Sequence, residues 1–381
     1  MNRKKILLAY ITKNSGHHQA VLAIERNLDR LNCLGEIKTK SVNFSKHIHP
    51  LISFFGEKIY LWVLQDNSQI WERVYDNPRV YTWLVKWIDC LVFFKFWKLR
   101  GLIEGFVPDV ICCTQAFPAL IMANFKKRAA KNSKIVSTPI VGVLTDYSPH
   151  WYWVHADIDL YVVPSAEIAE ILISRGVKQE KIRVLGIPID PKFFVERVDK
   201  KAVLKKMGLE ESRPVILLMG GSKGLGPIRE IVIGLSDRFH SSLQLIVVCG
   251  RNLRLKKEIQ KEIEFSRCPI KVLGYIENIN ELMEISSLII TKPGGQTVSE
   301  SLTCGLPMIL INPIPGQEIL NARFLVKRGM AILVGAKEAI EVVGYWFENP
   351  EIREKWRLKA KTFVKPDAAL VIAEILIKGW N

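Results

Sequence analysis

The sequence predicts an α/β protein: two doubly wound domains in series, each a parallel sheet covered by helices. Three observations carry that expectation. Apolar runs of strand length alternate with longer helix-like segments. The runs are rich in Val, Ile and Leu without polar alternation, as in strands buried on both faces of a parallel sheet. The alternation then restarts after Lys200, past a charged segment, residues 199–213, that reads as a linker with a short helix. A length of 381 residues suits two or three domains.

The expected strands of the first half are 5–11, 36–42, 109–114, 140–145, 160–163 and 183–185. Those of the second are 214–220, 243–249, 270–273, 287–291, 308–311 and 331–334. The final segment, 367–379, reads as a helix that returns to the first domain. The expected boundaries are therefore 1–198, 199–365 and 366–381. In such sheets ligands sit outside the carboxyl ends of the strands, and two domains facing each other make a cleft.

Hydrophobic residues make up 49% of the chain and charged residues 24%, a globular balance. The formal net charge is +16, which points to an anionic partner: a nucleotide, a nucleic acid or an acidic membrane surface. Nucleic acid ranks last, because the basic residues form no known binding motif and the aromatics cluster with aliphatic residues. The cysteines number seven, without a CxxC pair, and most lie in apolar runs. They read as buried thiols in a reducing compartment, not as disulfides or a zinc site. The apolar run near the amino terminus, 6–11, is too short for a signal peptide and suits a first strand.

One stretch breaks the rhythm. Residues 40–105 hold five of the ten tryptophans (Trp62, Trp71, Trp83, Trp87, Trp97), several phenylalanines, and interleaved basic residues such as Lys58, Arg79, Lys86, Lys95 and Arg100. Trp, Phe and Leu beside Lys and Arg is the chemistry of a bilayer interface. Lys86, Asp89, Lys95 and Lys98 interrupt any window long enough to span a membrane. The expectation is a peripheral, interfacial contact; a buried insertion is the other reading.

Polar residues collect directly after the apolar runs. Ser15-Gly16-His17-His18 follows the first, where a glycine allows a sharp turn and a helix start favours oxyanions. A histidine there suits proton transfer near neutral pH, and His17 is the nearer to the strand end. Thr145-Asp146-Tyr147 and His150 follow another run; Asp146 and His150 would orient a hydroxyl or else cap and pack. In the second half, Gly220-Gly221-Ser222-Lys223-Gly224-Leu225-Gly226 can present backbone N–H groups to a diphosphate. It lacks the closing Lys-Ser/Thr of a P-loop and is no good dinucleotide fingerprint. Thr291 to Thr297 makes another glycine turn before a helix carrying Glu300, whose carboxylate can accept from ribose hydroxyls. Gln317, Glu318 and Asn321 follow the next run, an amide and carboxylate set suited to a sugar.

Together these residues resemble a known family. Thr291-Lys292-Pro293-Gly294-Gly295-x-Thr297, Glu300, Gly305-Leu306-Pro307-Met308 and Pro315-Gly316-Gln317-Glu318-x-x-Asn321-Ala322 look like the nucleotide-sugar segment of the diacylglycerol glycosyltransferases. That group includes bacterial processive diacylglycerol glucosyltransferases and plant monogalactosyldiacylglycerol synthases of glycosyltransferase family 28. The resemblance extends to Ser15-Gly16-His17, Thr145-Asp146-Tyr147 with His150 and Trp153, Gly186-Ile187-Pro188-Ile189, the 220–226 loop, and Cys249-Gly250-Arg251-Asn252. Gln296 departs from it, standing where these families more often have an apolar residue, as does the His17-His18 pair.

The resemblance implies a GT-B fold, with the acceptor side amino-terminal and the UDP-sugar side carboxy-terminal. It implies inverting hexosyl transfer from a UDP-hexose to diacylglycerol, no cofactor and no essential metal, at the cytoplasmic face of a membrane. His17 then matches the general base, with Asp146 the second candidate or the group that orients it. Gly16, Tyr147 and His150 fall on the acceptor side. Gly221, Ser222, Gly224, Arg251, Tyr275, Gly294, Gly295, Thr297, Glu300, Gln317, Glu318 and Asn321 fall on the donor side. Asp157-x-Asp159 has the letters of a metal clamp but follows an acceptor-side loop. The alternatives are the lipid-linked N-acetylglucosaminyl transfer of cell-wall synthesis and a non-catalytic UDP-sugar sensor.

Overall fold

The structure, a computed structural model, describes residues 3–47, 76–80, 82–83, 97–129, 133–195 and 198–380. It contains two all-parallel six-stranded sheets. The first runs in the order β2-β1-β3-β4-β5-β6, from β1 (Lys4–Tyr10), β2 (Ile37–Asn43), β3 (Val110–Cys113), β4 (Ile140–Val143), β5 (Leu160–Val163) and β6 (Ile182–Val184). The second runs β12-β11-β10-β7-β8-β9, from β7 (Val215–Met219), β8 (Gln244–Val248), β9 (Ile270–Leu273), β10 (Leu288–Thr291), β11 (Met308–Leu310) and β12 (Ile332–Leu333). Each expected strand is present, displaced by at most two residues at an end.

Burial follows sheet position. The inner strands β1, β3, β4, β5, β7, β8, β10 and β11 are buried along nearly their whole length. The edge strand β2 is not: Lys38 and Lys40 reach solvent while Val42 points inward, so its IKTKSV alternation is an edge pattern. β9, at an edge of the second sheet, is likewise half-covered.

Two compact units result. The first comprises Met1–Asp190, Ile314–Gln317 and Lys365–Asn381; the second comprises Pro191–Pro313 and Glu318–Val364. The division falls at Asp190, before the charged segment read as a linker. That segment is a helix, Lys200–Met207, closed by the left-handed Gly208. It packs on the helix Ile279–Ile285 of the second unit, with Lys200 on Glu284 at 3.0 Å.

In the first unit, helix α1 (Gly16–Leu31) buries Val21, Ile24 and Leu28 against β1 and its neighbours. Its other partner is the helix Ala368–Lys378, which contributes Ile372, Ala373 and Leu376 to the same core. Gly186 lets the chain pass close by, since a Cβ there would stand 3.1 Å from the Lys365 side chain. In the second unit the core lies between β7, β8 and β10 and the helices Ile228–Phe239 and Ala336–Glu348.

The strand orders locate the sites. Strand order reverses between β1 and β3 in the first sheet, and between β7 and β10 in the second. Ligands bind beyond the carboxyl ends of strands at such reversals, because the loops leave for opposite faces and open a crevice.

Of the aromatic stretch 40–105, most lies outside the described residues, including Trp62, Trp71, Trp87 and Cys90. Phe44, Leu99, Ile103 and Phe106 are buried, and Trp83 is exposed. Among the described residues, no helix is long and apolar enough to cross a membrane. Cys112, Cys113, Cys249 and Cys268 are buried thiols; Cys33 is exposed and Cys304 half-buried.

Candidate active site

The first unit places a histidine at its strand reversal. Ser15 caps α1, accepting from the His18 N–H at 3.4 Å, so the helix starts directly beyond β1. His17 then reaches across to the ends of β3 and β4. Its Nδ1 lies 3.1 Å from the Thr114 carbonyl and 2.6 Å from Thr145 Oγ1. Thr114 Oγ1 donates back to the His17 carbonyl at 2.9 Å. A carbonyl only accepts, so Nδ1 carries the proton and Nε2 keeps the lone pair. Burial holds the His17 pKa below its ordinary value; the negative charge of Asp146 and the Thr114 hydrogen bond oppose that shift.

His18 has a different part. Its Nδ1 accepts from the Asn14 N–H at 3.3 Å, and its ring packs tilted against Tyr10, centroids 4.4 Å apart. The second histidine thus supports the strand-end loop, in which Asn14 takes a left-handed φ of +60°.

The loop after β4 carries Asp146, Tyr147 and His150. Tyr147 is buried. His150 is half-buried beside Trp153, rings 6.3 Å apart, and Tyr152. Its pKa falls to about 3 through burial, the nearby charge of His17 and the Arg175 guanidinium, so it stays neutral. Trp153 packs over Gly142 of β4, where a Cβ would come within 3.1 Å of the indole. Arg175 fixes this loop from outside: it donates to the Pro149 carbonyl at 2.8 Å and binds both oxygens of Asp76 at 3.0 and 2.7 Å. Asp76 also accepts the Trp151 N–H at 3.0 Å. Gln317, which groups with the first unit, donates to Asp146 there. Asp159 serves the sheet, accepting from the Ile140 N–H at 2.8 Å and from Lys126 at 2.9 Å.

The second unit presents backbone where the first presents side chains. The loop after β7 closes on itself, with the Leu225 N–H on the Gly220 carbonyl at 2.9 Å. It locks to the loop after β8 through the Arg251 N–H on the Ser222 carbonyl, also 2.9 Å. Two glycines permit this. Gly224 has φ +58°, and a Cβ there would lie 2.2 Å from the Cys249 carbonyl. Gly250 has φ +57°, and a Cβ there would lie 2.5 Å from the Ser222 carbonyl. Arg251 stacks its guanidinium 5.4 Å over the Tyr275 ring, beyond the end of β9.

Across the reversal, Gly294 starts the helix Gly295–Thr303 with no side-chain cap, and open space lies where its Cβ would stand. Thr297 stands in the first turn of that helix, and Glu300 one turn further is buried. Burial pushes the Glu300 pKa up to about 7, against the Gln296 hydrogen bond and the charge of Lys192. Lys292, buried at the end of β10, holds Glu318 at 3.0 and 3.2 Å. Asn321 is wholly buried and donates to the Pro293 carbonyl at 3.0 Å, bracing the same turn.

The expected residues thus fall into two groups. Gly16, His17, Asp146, Tyr147, His150 and Gln317 belong to the first unit, and the rest of the donor set to the second. Sequence reading missed Thr114, Thr145, Lys192 and Lys292 as site residues. Lys292 carried a signal, a cation directly behind a buried strand; Thr114 carried none, being 97 positions from His17.

Two doubly wound sheets with a glycine-lined turn and a buried carboxylate at one reversal define a nucleotide-sugar enzyme of the GT-B type. Comparison with known proteins specifies the family. Residues 17–189 match the family model for monogalactosyldiacylglycerol synthase, and 215–349 match the glycosyltransferase family 28 C-terminal domain. A processive diacylglycerol beta-glucosyltransferase of Bacillus pumilus (strain SAFR-032) is 30% identical over 98% of this chain and 95% of its own. Among solved structures, S. aureus MnaA with UDP aligns at TM-score 0.64 and 14% identity, over 98% of this chain and 96% of that one. The MurG of Acinetobacter baumannii aligns at TM-score 0.61 and 14% identity, over 99% of each; both likenesses concern the fold. The chain belongs to the diacylglycerol glycosyltransferases of glycosyltransferase family 28.

Proposed function

We propose that the chain transfers a hexosyl group from a UDP-hexose to the hydroxyl of diacylglycerol, with inversion, at a membrane surface. The observation that carries the chemistry is the approach of His17 Nδ1 to the Thr114 carbonyl at 3.1 Å, which favours the Nδ1–H tautomer. Nε2 is thereby a base with an available lone pair, and burial keeps it unprotonated at neutral pH. The acceptor oxygen attacks the anomeric carbon and forms the glycosidic bond. The bond from that carbon to the diphosphate oxygen breaks, its electron pair leaves with UDP, and the acceptor proton passes to Nε2. Asp146 raises the basicity of His17 and stabilises the imidazolium that forms.

The second unit would take the donor. Backbone N–H groups of the 220–226 loop and the helix start at Gly294–Gly295 suit a diphosphate. This supports departure of UDP without a metal ion. Glu300 would accept from the ribose, Arg251 and Tyr275 would flank the nucleoside, and Glu318, oriented by Lys292, would meet the sugar. Gly16, Tyr147 and His150 would shape the acceptor side. The net charge of +16 and the exposed Trp83 favour peripheral attachment to the cytoplasmic face of an anionic membrane.

The test is direct. The purified protein is given diacylglycerol in anionic liposomes with UDP-glucose, UDP-galactose or UDP-N-acetylglucosamine, and glycolipid is measured by mass spectrometry. A hexosyl-diacylglycerol that disappears in His17→Ala supports the reading and names the sugar. UDP binding without product from any donor would overturn the transferase reading in favour of a sensor. Transfer confined to UDP-N-acetylglucosamine and a polyprenyl-linked acceptor would overturn the acceptor assignment.

A further inference from the structure

Gln296 has no part in the mechanism above, yet its amide is buried in the first turn of the helix Gly295–Thr303. It stands one turn before Glu300, on the same helix face. Its Nε2 donates to Glu300 Oε1 at 3.1 Å. Burying an amide costs free energy that an apolar residue of similar size would not incur. Something must therefore depend on the hydrogen bond it makes.

We propose that Gln296 is a positioning residue for the donor nucleoside: its amide holds Glu300 Oε1 and leaves Oε2 to accept from the ribose hydroxyls. The inference rests on the reading of Glu300 as the ribose-binding group. A vicinal diol approaches as a pair of donors, and a carboxylate can accept both. A protonated carboxyl has become a donor itself and offers one good acceptor fewer. Whether Glu300 is ionised therefore decides how well it binds a diol.

The groups facing the carboxyl come from every side. Lys192, in the turn Pro191–Phe193, and Gln296 favour the charged form, against burial. Tyr275, beyond β9, and Cys304, at the end of the same helix, are raised chiefly by burial, with the Glu300 charge adding to it, and so are neutral near pH 7. With Glu300 at about 7, loss of the amide moves its titration upward. Ribose binding should then fail at neutral pH and recover in alkali.

The experiment measures UDP and 2′,3′-dideoxy-UDP binding by calorimetry on the full chain, at several pH values. For the unsubstituted chain, the preference for UDP over the dideoxy compound should grow from about pH 6 to about pH 8. In Q296M the affinity for UDP should fall about tenfold near pH 7 and recover toward pH 9, the dideoxy compound being unaffected. Equal losses for both ligands at every pH would mean that Gln296 only packs, and would overturn the proposal. So would a preference independent of pH in the unsubstituted chain, a result that needs no variant to fold. Absence of UDP binding by the unsubstituted chain would overturn the donor reading as well, whereas UDP binding with either overturning result removes the Gln296 inference alone.

Discussion

The two units solve the same topological problem with opposite materials. At the reversal of the first sheet, side chains meet: half-buried His17 on the buried Thr114 and Thr145. At the reversal of the second, side chains are stripped away: glycines at 224 and 250 let backbone approach backbone, and Gly294 leaves open space at its helix start. The difference follows the chemistry each place can support. On the proposed reading, moving one proton needs one group with a tuned affinity, which a histidine held in a single tautomer would supply. Holding a diphosphate needs many weak donors at short range, which backbone N–H groups supply only where no Cβ intervenes.

The largest effect should come from His17→Ala. Loss of a general base predicts a fall in turnover of about 10²–10⁴-fold with UDP affinity unchanged, checked by glycolipid formation and calorimetry. A parallel loss of UDP binding would break the assignment of the two functions to separate units. Gly224→Ala tests the other side. The left-handed backbone and the 2.2 Å approach to the Cys249 carbonyl predict a stability loss above about 2 kcal/mol, seen as a lower Tm.

Asp146→Asn sharpens the first unit. Asp146 raises the His17 pKa, so its removal lowers it. A base acts in its neutral form, and activity is lost as pH falls through its pKa. The acid limb of kcat/KM should therefore move to lower pH, with turnover reduced by less than in His17→Ala. Were Asp146 the base, its substitution would abolish turnover and His17→Ala would not.

Glu300→Gln contrasts binding with stability. Native Glu300 keeps its proton to about 7, whereas the unfolded chain loses it near 4.5. The folded state binds more protons between those values, so stability falls as pH rises through that window. The variant should melt higher than the unsubstituted chain at alkaline pH, with the gap closing in acid, while UDP affinity drops. Chelation with EDTA should change turnover least of all, since the diphosphate is expected to rest on backbone donors.

Much of this contrast could be read in the sequence. The strands were visible because apolar runs of Val, Ile and Leu have few other uses at that length. Their ends moved by a residue or two because terminal residues such as Ile11 and Thr114 leave the ladder to start loops. The glycine turns and Glu300 were visible because they follow strands directly. The order of the strands was not, because pairing such as β7 with β10 is decided by contacts far apart in the chain. The partner of His17 was hidden for the same reason, and so was the hold of Asn321 on the Pro293 carbonyl. The short helix Lys200–Met207 in the charged segment was legible because a helix exposed along one side is rich in lysine.

The helix Ala368–Lys378 sets a timetable for biosynthesis. It covers Val21, Ile24 and Leu28 of the helix that carries His17, yet it is made only after the second unit. When residues 1–190 have left the ribosome, that face of α1 is still bare, and the whole second unit must be translated before it is covered. The nascent first unit therefore spends the synthesis of its partner with an open flank, and the helix carrying the histidine acquires its final support only after the second unit has been made. A truncated product lacking that helix should consequently be a client of chaperones and proteases rather than a half-active enzyme.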